Sequence, residues 1–163
     1  FQTVEHAVKT GKRLLGICLG MQVIHSYFIV EDEAKRRGWT EPLLALYEQM
    51  KREKYMFTHP VEHHWDVHMT RTTVEETKHA VSVAPDTLLA RLTGSDMIRA
   101  STMHRYRVDA PSPQLTVSGK TADGTIEALE RGDSLLGVQF HPEVDGTFAA
   151  LFRFVAGETG ASL

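Results

Sequence analysis

Apolar and polar positions change period several times along this chain, and each change marks an element. Val4, Ala7 and Val8 share one face of a helical pattern over residues 1–10. Leu14 to Ile17 is apolar at successive positions, which predicts a central strand covered on both faces in a parallel sheet. Helical spacing returns with Val23, Ile24, Tyr27 and Phe28. It recurs as Leu43, Leu44, Leu46, Tyr47 and Met50 within the charge-rich stretch 31–54, predicting one or two surface helices. Ala84-Pro85-Asp86-Thr87 reads as a turn with an N-cap, opening a short helix through Leu88, Leu89 and Leu92 that stops at Gly94. Met97 to Ala100 predicts a strand. Residues 115–118, 125–129 and 135–140 predict a meander that turns at Asp123-Gly124 and Gly132-Asp133-Ser134. Phe148, Leu151, Phe152 and Val155 mark a terminal amphipathic helix ending near Gly157, followed by a fraying tail over 158–163. At this length the chain reads as one domain, over residues 1–157.

The first candidate chemistry lies where the strand at 14–17 meets the next helix. Gly16-Ile17-Cys18-Leu19-Gly20-Met21-Gln22 puts the only cysteine on a strand-to-helix turn between two glycines. In a nucleophile elbow the residues two before and two after the nucleophile press together, which small residues allow. Amides following the cysteine, beginning with Leu19, then point from a helix N-terminus toward the sulfur and favour a thiolate or an oxyanion. A lone cysteine is otherwise a small buried hydrophobe.

A second site answers it near the other end of the chain. Leu135 to Phe140 runs straight into His141-Pro142-Glu143. Pro142 cannot donate a ladder hydrogen bond, so pairing stops there, and His141 and Glu143, two apart, can face one side. Glu143 can then fix the imidazole tautomer while His141 takes a thiol proton.

G-x-C-x-G-x-Q followed by G-V-Q-F-H-P-E resembles the class I glutamine amidotransferases. The resemblance implies a flavodoxin-like three-layer α/β fold and a Cys18-His141-Glu143 triad that cleaves a γ-glutamyl amide through a thioester. It implies further that Gln22 and the backbone at Leu19 hold the glutamyl moiety, with no cofactor. The resemblance begins about halfway through the usual domain. It therefore implies a C-terminal fragment lacking upstream strands and the Gly-rich loop that supplies the other oxyanion donor. The middle of the chain is most similar to the γ-glutamyl hydrolase branch, in His79-Ala80-Val81 through Leu89, in Ser101-Thr102-Met103-His104, and in Ala122-Asp123-Gly124 through Ala128. It departs from that branch at Leu19, where an arginine is frequent, and around His104. Ser101 and His104 are the next candidates for the substrate pocket; the alternative is that Ser101 ends a strand and His104 lies in a surface loop.

Composition narrows the rest. With 163 residues and 42% hydrophobic content the chain can bury a sizeable core. A net charge of −3 argues against nucleic-acid and anionic-membrane partners. Lys35-Arg36-Arg37 and Lys51-Arg52-Glu53-Lys54 read as solvated helix faces. A single cysteine suits a reducing, cytoplasmic setting, and no apolar run reaches bilayer length. Nine histidines include His59-Pro60-Val61-Glu62-His63, a match to H-x-x-E-H. Its metal chemistry needs a long helix, which Pro60 and the extended pattern after it oppose, so a loop entering a strand is expected and no metal.

Three functions are consistent with these motifs. The leading expectation is a stand-alone cysteine hydrolase acting on a small-molecule γ-glutamyl amide. The second is a glutaminase subunit passing ammonia to a synthase partner. The third is a silent regulatory domain.

Overall fold

The parallel neighbour that the apolar run at 14–17 requires comes from the far end of the chain. In the computed structural model, which describes residues 1–61, 73–144 and 146–157, β1 (Leu14–Ile17) pairs in parallel with β8 (Leu135–Val138), Leu14 opposite Leu135 and Ile17 opposite Val138. From there the sheet continues antiparallel through β7 (Ile126–Arg131), β6 (Thr116–Lys120), β3 (Lys78–Val83) and β4 (Met97–Ser101). The meander of β6, β7 and β8 is as the turn residues predict, with Gly124 and Gly132 in the left-handed region. A separate two-stranded ribbon joins β2 (His59–Pro60) to β5 (Tyr106–Arg107).

Helices cover both faces. On one lie α1 (Gln2–Thr10) and α2 (Leu19–Arg37), packing Val4, Met21, Ile24 and Phe28 against Leu129 and Leu135. On the other, α4 (Leu88–Thr93) and α5 (Ala149–Ala156) bring Leu89, Leu151 and Phe154 onto Val81, Leu136 and Val138. Alternation along β8 therefore serves two cores, which is why its residues are uniformly apolar. Gly137 takes the place where α2 crosses, since a Cβ there would stand 3.0 Å from Met21 Cγ. The charge-rich stretch resolves into the end of α2 and α3 (Leu43–Arg52), whose Leu46 and Met50 pack on Val30 and Ala34.

Thr87 caps α4 as expected, its hydroxyl accepting from the Ala90 amide at 3.2 Å. A less legible cap is the buried Glu130, whose carboxylate accepts from the Leu88 and Leu89 amides at 2.8 and 3.2 Å. The face expected for the terminal helix needs correction. Phe148, Leu151 and Phe154 are buried, whereas Phe152 and Val155 are about 40% exposed, because the 148–151–154 stripe follows the core. Among the described residues no helix is long and apolar enough to cross a membrane. His59 does enter a short strand, while Glu62, His63 and the tail at 158–163 lie outside the described residues. Among the described residues no group of histidine, cysteine and carboxylate side chains is arranged to hold a metal ion.

Candidate active site

Cys18 stands between β1 and α2 with φ 50° and ψ −105°, a positive φ that side chains seldom adopt. Its amide is tied to the Val138 carbonyl at 2.8 Å, so β8 fixes the turn. Gly16 makes the elbow possible: a Cβ there would lie 2.7 Å from the Gly20 carbonyl carbon and 2.6 Å from Ile24 Cδ1. Gly20 has no such restriction, its Cβ direction being open, so the close approach asks smallness of one glycine rather than two. The thiol sits at the N-terminus of the long helix α2, with Leu19 next to it and 68% exposed.

Beyond β8 the chain stays tethered. The Gln139 amide donates to the Glu127 carbonyl at 2.8 Å, and the His141 amide to the Ser101 carbonyl at 2.8 Å. Because Ile17 and Val138 are register partners, these tethers bring His141 to the sheet end that carries Cys18. His141 Nδ1 meets Glu143 Oε1 at 2.7 Å, which leaves Nε2 for the thiol. Hydrogen bonding to Cys18, with a further contribution from Glu143, outweighs burial and raises the His141 pKa from 6.5 to about 9. A thiol, an imidazole at the same end of the sheet and a carboxylate orienting that imidazole can together add sulfur to a carbonyl and protonate a departing amine.

The other expected residues divide. Gln22 lies one helical turn from Cys18, its amide bonded to the Cys18 carbonyl at 3.3 Å. Its side-chain Nε2 donates to the Tyr106 carbonyl at 3.0 Å and to Gln139 Oε1 at 3.1 Å. Ser101 does end a strand; it is 2% exposed and its hydroxyl pairs with that of Thr77 at 2.6 Å. His104 lies in the loop between β4 and β5, as the alternative has it, but its side chain is turned away from solvent. It is 3% exposed, with Nδ1 at 3.0 Å from the Tyr106 carbonyl and Nε2 at 3.2 Å from Glu127 Oε1. Burial pushes the Glu127 carboxyl up, but His104 and His79 outweigh it and hold the group below the usual carboxylate range.

Sequence reasoning overlooked Gln139, reading it only as part of an apolar strand. It is fully buried, and its Nε2 donates to Cys18 Sγ at 3.5 Å. The signal available was an amide side chain inside the run Leu135 to Phe140, where a polar group needs a partner.

A family model described as Peptidase C26 matches residues 44–143, taking in His141 and Glu143. The chain belongs to the peptidase C26 family. This C26 chain is 26% identical to protein NtpR of Enterococcus hirae over 95% of its own length and 59% of that protein's. It is 30% identical to the imidazole glycerol phosphate synthase subunit HisH of Desulfovibrio desulfuricans, over 89% of its own length and 60% of that protein's. The chain thus spans less than two thirds of the length of these relatives. Among solved structures, the glutaminase domain of Trypanosoma brucei CTPS with bound acivicin superposes with a TM-score of 0.64 at 18% identity, covering 97% of the chain and 65% of that domain. The fold is that of the class I glutamine amidotransferases, flavodoxin-like with helices on both faces of the sheet.

Proposed function

We propose that this chain carries the glutamine-hydrolysing site of an amidotransferase, with Cys18, His141 and Glu143 as its triad. The observation that carries the reading is His141 held by Glu143 at 2.7 Å through Nδ1, with Cys18 the largest influence raising its pKa. Cys18 Sγ attacks the side-chain carbonyl of glutamine with the thiol proton already held on His141. The Leu19 amide, at the positive end of α2, donates to the oxyanion. His141 then returns the proton to the leaving ammonia as the C–N bond breaks and a thioester forms. Water, deprotonated by His141, attacks the thioester and releases glutamate and the thiol. Gln22 spends both side-chain N–H groups on Tyr106 and Gln139, which leaves its amide oxygen to accept from the glutamyl moiety.

The relatives support ammonia delivery to a synthase partner over free hydrolysis, since HisH is a synthase subunit and the CTPS structure is a glutaminase domain. A stand-alone γ-glutamyl hydrolase is the second reading, favoured by the central stretches around His79, Ser101 and Asp123. The test is glutamate release by the full-length protein from glutamine and from γ-glutamyl-GABA, with Cys18→Ala as the blank. Cysteine-dependent release from glutamine that rises with a synthase partner is expected. Fast partner-independent cleavage of γ-glutamyl-GABA would replace the first reading with the second, and Cys18-independent release would remove both.

A further inference from the structure

The contacts around Gln139 close into a ring. Starting at the buried Glu127, the carboxylate meets His104 Nε2 at 3.2 Å, and His104 Nδ1 meets the Tyr106 carbonyl at 3.0 Å. That carbonyl also accepts from Gln22 Nε2 at 3.0 Å, and the same nitrogen donates to Gln139 Oε1 at 3.1 Å. The Gln139 backbone amide donates to the Glu127 carbonyl at 2.8 Å, so the ring returns to the residue where it began. One bond leaves the ring, from Gln139 Nε2 to Cys18 Sγ at 3.5 Å.

The donors and acceptors have one consistent assignment. The Tyr106 carbonyl can only accept, so His104 Nδ1 and Gln22 Nε2 are both donors to it. Gln22 spends its second N–H on Gln139 Oε1, which forces the Gln139 amide to turn Nε2 toward the sulfur. A reversed Gln139 amide would set nitrogen against nitrogen at Gln22 and oxygen against Cys18. Glu127 and His104 are both almost wholly buried, as is Gln139, and a satisfied network in a low-dielectric interior is rigid.

We propose that Gln139 is a further catalytic residue, an amide donor to the nucleophilic sulfur, and that Glu127 and His104 are positioning residues that lock its orientation and that of Gln22 through this ring. The proposal deepens the glutaminase reading and rests on it for the role of Cys18. A buried amide aimed at the sulfur stabilises negative charge there without water, and it ties nucleophile and glutamyl-binding side chain to one frame.

Two electrophiles separate the claims, each followed by mass mapping of the Cys18 peptide in the full-length protein. Iodoacetamide reads the sulfur alone, and acivicin, an electrophilic glutamine analogue, reads the sulfur together with the glutamyl site. Gln139→Met keeps the shape and removes both amide contacts; it is expected to slow iodoacetamide at neutral pH about tenfold, as loss of one hydrogen bond to a charged group implies. His104→Phe keeps a ring and removes both histidine contacts; it is expected to slow acivicin about tenfold at low concentration. In the ring, the double variant loses little more than the worse single one, whereas independent defects multiply. His104→Phe that melts early is replaced by Glu127→Gln, which retains shape and a hydrogen-bonding amide and should fall between wild type and His104→Phe. Gln139→Met alkylated within twofold of wild type at an unchanged melt, or losses that multiply, would overturn the proposal. Iodoacetamide effects as expected with no acivicin adduct in any variant would uphold Gln139 as the sulfur's donor and overturn the glutamine reading instead.

Discussion

Two histidine–carboxylate pairs stand near the same end of the sheet and differ mainly in burial. His141 and Glu143 meet at 2.7 Å with side chains 20% and 48% exposed, whereas His104 and Glu127 meet at 3.2 Å with side chains 1% and 0% exposed. The exposed pair shares its imidazole with Cys18 and can trade a proton with whatever binds there. The buried pair has both imidazole nitrogens committed to protein atoms and has nothing to trade. The same two residue types thus serve turnover in one place and shape in the other, and solvent access makes the difference.

Substitutions that hit one pair and spare the other sharpen this contrast. The largest effect belongs to the group the exposed pair serves. Cys18→Ala should reduce glutamate release to background, a loss on the order of 10⁴-fold or more, at an unchanged melting temperature. His141→Asn should follow at about 10²- to 10⁴-fold in kcat. Glu143→Gln, which keeps the shape and removes the charge, should cost about 10- to 100-fold with little change in stability, as loss of a charge-assisted bond implies.

The pH profile follows from the same pair. With the His141 pKa raised to about 9, the imidazolium that protonates the leaving amine persists through neutrality, and kcat should fall as pH rises through that value. Glu143→Gln should move this alkaline limb toward neutral pH. The stability sign agrees: because the folded-state value exceeds the ordinary 6.5, the contribution is complete below 6.5 and is lost as pH rises toward about 9.

The buried pair should behave the other way. Glu127→Leu strands His104 in the interior and should destabilise the protein by about 3–5 kcal/mol in urea melts. Gly16→Ala, which forces a methyl against the Gly20 backbone, should cost about 1–3 kcal/mol. Thr87→Ala, far from both pairs, should cost only about 1 kcal/mol through its lost cap and leave kcat alone.

Local chemistry is what the sequence displays most clearly. The strand at 14–17, the Thr87 cap, the meander and the elbow all follow from short-range patterns, and His141 and Glu143 are two residues apart on either side of a proline. Pairing of β1 with β8 follows less directly, since a run apolar on both faces asks for parallel neighbours without naming them. Burial of polar side chains is the part that stays hidden. Ser101 and His104 read as pocket groups because their partners come from other elements, Glu127 carries no signal of its own, and Gln139 reads as strand because an isolated amide carries no period. Those four become intelligible only once β4, β7 and β8 are side by side.

The central claim is that Cys18 is a nucleophile in a glutamine site, and acivicin labelling tests it without needing a partner or turnover. Full-length protein should take up one acivicin equivalent on the Cys18 peptide, glutamine should slow the reaction in proportion to its concentration, and Cys18→Ala should take up none. A folded protein left unlabelled, or labelled at Cys18 at a rate indifferent to glutamine, would contradict the account.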